Sequence, residues 1–221
     1  MKARMKVQAA AAALILGTSM VAHAQLGGLS LPGAGKSAPS ASVDVDGFLK
    51  NAMTAELLMR GSLDQLVASL ASKEELAQID ALKKVASEKT DSKEKAVSEQ
   101  AIIQSQTALL NTKDFDKIAN EDAKKMDAKQ KQKLAGAAYN FMLAALKDKE
   151  LIGQSQSVIS GLSGNPANLG KLGTVKDTAG SLKTQLELAS SLATKVPKVF
   201  TAVGVKNPPS KASDAPVAIA D

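Results

Sequence analysis

Three short stretches of this 221-residue chain place residue types at spacings that could do chemistry. The first is Gly33-Ala34-Gly35-Lys36-Ser37, which matches the end of a phosphate-binding loop: backbone amides, a lysine and a hydroxyl for a nucleotide. The full pattern needs a glycine five residues before Gly35, where Ser30 stands, and it needs a strand before it and a helix straight after. Neither is present in the pattern, so the stretch reads as linker. The second is Asp44-Val45-Asp46-Gly47, two carboxylates and a glycine as at the opening of a calcium loop. The further oxygen ligands and the closing glutamate are missing, and helix capping by Asp44 or Asp46 is the expected role. The third is the cluster Lys124, Lys125, Lys129, Lys131 and Lys133, a basic patch in type. Acids are interspersed through the same region, which makes it a solvated face rather than a dock for an anionic partner.

The amino terminus narrows what chemistry is left. Lys2, Arg4 and Lys6 precede an apolar run from Val7 to Leu16, and Ala22-His23-Ala24 supplies a small-x-small cleavage site. Residues 1–24 therefore read as a secretory signal peptide cut after Ala24, with the protein exported to the periplasm or secreted. The run is shorter than the ~17–25 residues that a membrane span requires. No cysteine is available for a lipid-modified amino terminus, since the chain has none.

His23 is the one histidine of the chain, and it leaves with that segment. What remains has no His, Cys or Trp, which excludes Ser-His-Asp and Cys-His catalysis, His-ligated zinc and Glu-x-x-His di-iron centres. Disulfides are excluded too, so stability must come from packing. An enzyme would be limited to Asp, Glu, Lys, Ser and Tyr139. Carboxylate pairs can hydrolyse glycosides, but such sites sit in aromatic clefts, and four Phe and one Tyr offer little material. No catalytic, cofactor-binding or metal-binding residue is assigned, no cofactor is expected, and the protein reads as a non-enzyme. Charge agrees: without the three basic residues of the segment, 25 Lys and Arg face 22 Asp and Glu, a net of +3. With so few aromatics to stack on bases, no nucleic-acid partner is expected.

The elements that must position any site are helical. Ala137 to Leu146, AAYNFMLAAL, is apolar nearly all round, with Asn140 and Tyr139 as its polar exceptions. A helix of that kind must be covered on several sides, so it is expected to be the central rod of a bundle, starting near Asp127 and reaching about Gly161. Tyr139 Oη is expected to reach a backbone carbonyl or solvent at the bundle edge. The Gly- and Ser-rich second half of the rod is expected to bend or fray.

Ahead of it, Phe48, Ala52, Ala55, Met59, Leu63, Leu66 and Leu70 form one face of a first helix, widened by Leu49, Leu57, Leu58 and Val67. Ser72 and Glu75 have capping-box spacing and open a second helix to about Glu88. Ser92 opens a third, whose apolar side is drawn through Val97, Ala101, Ile102, Ala108 and Leu109; its many polar residues place it outside. The charged connection from Lys113 to Lys133 turns Phe115, Ile118 and Met126 inward. After the rod, Asn165-Pro166 is a restart signal. Leu172, Val175, Ala179, Leu182, Leu186, Ala189, Ala193 and Val196 then follow a heptad suited to antiparallel packing or a coiled-coil seam. Pro197 ends that helix and Val199, Phe200 and Val203 add a last turn.

The expected fold is all-α: an elongated antiparallel bundle of four to six helices over residues 43–205, with a Gly/Ser/Pro leader over 25–42. Residues 206–221, with three prolines and no periodicity, are expected to be disordered. The expected function is binding of another macromolecule, a protein partner first, as an adaptor or holdase. Association with a lipid or membrane surface is the alternative, and a homo-oligomer through the heptad seam stays open.

Overall fold

The computed structural model describes residues 44–163 and 169–219. The expected signal peptide, the leader with its Gly35-Lys36-Ser37 motif and the Asn165-Pro166 restart fall outside the described residues. In chain order the elements are α1 (Val45–Leu70), α2 (Lys73–Ser87), α3 (Ser92–Asn111) and the single turn α4 (Phe115–Lys117). A π-helical turn (Ile118–Asp122), α5 (Ala123–Lys125), α6 (Ala128–Ser163) and α7 (Leu169–Ala193) follow, then a 3-10 turn (Val196–Val199) and α8 (Phe200–Val203). Among the described residues there is no strand, and the all-α bundle is confirmed.

Local chemistry sets the helix ends. Asp44 Oδ1 accepts the Gly47 amide at 2.8 Å, so the aspartate caps α1. Ser72 and Glu75 exchange both bonds of a capping box, 2.7 and 3.3 Å. Asp127 and Gln130 do the same at α6, 3.0 and 2.7 Å. At the far end of α3, Lys195 Nζ reaches across from the segment after α7 to donate to the Asn111 carbonyl at 2.9 Å, placing a cation on the negative end of that helix. Gly204, at φ 83°, closes α8 in the left-handed region that a side chain disfavours.

Helix α6 is the central rod. It runs antiparallel to α1 and α7, so that Lys171 at the start of α7 pairs with Asp46 at the start of α1, while Leu162 near the end of α6 joins Phe48. The core falls into two apolar clusters along this axis. One gathers Phe48, Ala52, Ala55, Leu151, Val158, Val175 and Leu182. The other gathers Met59, Leu63, Leu66, Leu134, Phe141, Ala189, Leu192 and the short carboxyl-terminal turns through Val199 and Val203. Phe115 and Ile118 close the second cluster from the charged connection, as their inward assignment requires. The hairpin of α2 and α3 lies on α1, linked by ion pairs from Arg60 to Glu99 and from Lys83 to Asp64.

Four expectations are corrected. Leu57 does not widen the α1 face; it is 64% exposed. The inner face of α3 runs through Ile103, Gln106, Thr107 and Leu110, and Val97 points outward. Gln106 tolerates burial because its side-chain amide donates to Asp64, so a stripe drawn through apolar residues alone misses the face. The second half of α6 does not fray within the described residues: it is helical to Ser163, with Ser155 and Ser163 hydroxyls bonded back to carbonyls one turn earlier. Residues 206–219 carry no helix, yet they are not disordered: they are seated along α6 by hydrogen bonds that replace a core of their own.

Candidate functional site

Gly136, Asn140, Leu143 and Lys147 recur on α6 at spacings of four, three and four residues, and therefore share one face. The carboxyl-terminal segment meets it at Lys147, Asn140 and Gly136 in turn, running antiparallel to α6. Its first fixed point is a turn in which Asp214 Oδ2 accepts the amides of Ser210 at 2.8 Å and Lys211 at 3.0 Å. Those two backbone bonds hold the Asp214 carboxyl below its ordinary range. Lys147 Nζ donates to the Ala212 carbonyl.

The next fixed point is Asn140, which donates from Nδ2 to the Val217 carbonyl at 2.8 Å and accepts the Val217 amide on Oδ1 at 2.9 Å. One side-chain amide thus satisfies both backbone groups of one residue, as a neighbouring strand would. At Gly136 the chains come closest: a Cβ there would lie 3.3 Å from the Ala218 carbonyl oxygen and 3.3 Å from Ile219 Cγ1. Glycine at that helix position permits the approach. Ile219 packs against the second core cluster, while the Val217 side chain is 41% exposed. The segment is therefore held by its backbone and one apolar anchor, with almost no reading of its other side chains.

A second polar feature crosses the bundle at the level where the two apolar clusters meet. Asp148 of α6 lies between Ala145 and Leu151, Gln185 of α7 between Leu182 and Leu186, and Glu56 of α1 between Ala55 and Met59. Asp148 is fully buried; its Oδ2 accepts from Gln185 Nε2 at 3.1 Å and its Oδ1 has no partner. Burial pushes its carboxyl up to about 7, the Gln185 bond pulls it down, and the charge of Glu56 pushes it up again. Glu56 itself is tied to Arg60 at 2.5 Å, and Arg60 bridges on to Glu99 of α3 at 2.8 Å. Asp148 is the one buried acid among the described residues. A lone buried acid hydrogen-bonded to an amide differs from the paired carboxylates that hydrolytic chemistry uses.

The residues weighed in the sequence distribute as follows. Asp44 caps a helix, and Lys125 pairs loosely with Asp122 at 3.9 Å. Tyr139 is half-buried on the rod, beside the Asn140 that carries the segment. Among the described residues, no group of three His, Cys, Asp or Glu side chains could hold a metal ion, and no helix is long and apolar enough to cross a membrane. Comparison of the chain with protein-family models, curated proteins and solved structures returns no match.

Proposed function

We propose that this is an exported, non-enzymatic helical-bundle protein, periplasmic or secreted, that acts by binding another polypeptide in extended form, as an adaptor or holdase. The observation that carries the reading is the two-point bond from Asn140 to the backbone of Val217. It belongs to a face of α6 that takes an extended chain by its main chain, and main-chain bonds are common to all sequences. Export is supported by the charge and hydropathy pattern of residues 1–24. Titrating a labelled, permanently unfolded polypeptide with the protein, followed by anisotropy, tests the reading. Saturable binding by the Val217→Pro chain, whose own tail is loosened, that adding Asn140→Ala weakens at least tenfold is expected; equal binding with and without Asn140→Ala refutes it.

The exposed Met53, Leu57 and Val97 favour a second reading, association with a membrane surface. Flotation with anionic vesicles at low salt decides it: protein that stays with the soluble fraction ends this reading.

A further inference from the structure

The carboxyl-terminal segment is attached to α6 in a way that suits exchange. Between Lys206 and Ile219 only Pro209, Ala212, Asp214 and Ile219 are half-buried, and Lys206 to Pro208 at its root are exposed. Little apolar surface holds it, so its local opening requires far less than unfolding of the bundle. Its seat consists of the Lys147 bond to a carbonyl, the Asn140 pair, the close approach at Gly136 and the Ile219 anchor. Each of these would be met equally by a chain arriving from outside.

We propose that the α6 groove takes, in trans, an extended segment of another polypeptide, and that residues 206–219 are its built-in competitor. This rests on the reading of the α6 face as a peptide groove. The geometry defines the ligand: a turn that offers a carbonyl to Lys147, as at Ala212, followed by a stretch of about five residues without helix, as from Ala215 to Ile219. A backbone-paired residue of any type sits at Asn140, then a small residue, then an apolar one against the core. The competitor sets the apparent affinity, because a groove occupied in cis is available only in the fraction of molecules whose tail is open.

The test uses a labelled peptide of sequence KNPPSKASDAPVAIAD as probe and full-length chains as receptors, read by anisotropy. Val217→Pro removes the amide that donates to Asn140 Oδ1 and leaves every groove residue intact. Losing one such bond loosens the tail by about tenfold, so this variant should bind the probe about tenfold tighter than the parent. Asn140→Ala should bind it at least tenfold more weakly than Val217→Pro. If Val217→Pro and parent bind equally while Asn140→Ala loses binding, the tail is no competitor and the inference fails with the groove reading intact. If Val217→Pro shows no binding, and a chain ending at Val205 that keeps its helical spectrum shows none either, the groove reading itself fails. A parent chain that dimerises reversibly, and whose dimer the probe dissociates, makes the occupant a second copy and overturns the assignment to another polypeptide.

Discussion

Replacing Asp148 by Asn isolates what a buried, half-satisfied carboxyl costs this bundle. Burial raises the group from its ordinary 3.8 to about 7. Between those values the unfolded chain releases the proton while the folded chain keeps it, so stability falls as pH rises. The loss begins near pH 4, runs at about 1.4 kcal/mol per pH unit and levels off above pH 7. Across the window it reaches on the order of 4 kcal/mol. Asn keeps an oxygen for Gln185 Nε2 and carries no charge, so Asp148→Asn removes the pH-dependent part. Its amide nitrogen takes the place of the unpartnered Oδ1, so its protons have no acceptor there, which adds a constant offset of about 1–3 kcal/mol against the variant at every pH. The decisive quantity is therefore the difference between variant and parent as a function of pH, taken from urea unfolding at half-unit steps from pH 4 to 8. The carboxylates Glu74, Glu75 and Asp214, held low by backbone or side-chain bonds, act at lower pH and cancel in the difference. A variant that gains steadily on the parent between pH 4 and 7, then runs parallel to it, is expected. A difference that stays flat over that range refutes the account of Asp148.

Leu63→Ala, at a residue 1% exposed, should cost about 2–5 kcal/mol, whereas Leu57→Ala should stay within about 0.5 kcal/mol; urea midpoints separate them. Gly61→Ala has nothing within 4 Å of the new Cβ and should raise stability by about 1 kcal/mol through helix propensity alone, measurable in the same assay. Gly136→Val puts a branched side chain where a Cβ already sits 3.3 Å from the tail, and should release residues 217–219 without melting α6. Rapid hydrogen exchange confined to the tail, with an unchanged helical spectrum, is the expected result.

The bundle was legible because its helices repeat apolar residues at helical spacing. Phe48 to Leu66 on α1, Val175 to Ala193 on α7 and Val196 in the turn after it are buried or half-buried where periodicity places them. The capping box at Ser72 and Glu75 was legible because it is local chemistry. The inner face of α3 was not, because Gln106 is stabilised inside by Asp64 of another helix, a contact 42 residues away that no window contains. The α6 groove was half legible. A rod apolar nearly all round announces that something covers each side, and Asn140 stands out on it. Nothing in residues 206–219 announces the cover: their order comes from bonds to Asn140 and Lys147, 65 to 77 residues distant, and from no pattern of their own. Gly136 was the overlooked signal, a helix-interior glycine one turn before that asparagine. Asp148 was equally hidden, since its depth becomes visible only once α1 and α7 are packed against it.

The central claim, that α6 holds an extended chain by its backbone through Asn140, is tested most directly by the exchange of one amide. The Val217 N–H donates to Asn140 Oδ1 at 2.9 Å in a residue whose side chain is substantially exposed. Native-state hydrogen exchange resolved at that residue should show protection in the parent chain and its loss in Asn140→Ala, with the amides of α6 unchanged. Exchange of the Val217 amide at the rate of an unstructured peptide in the parent would contradict the account.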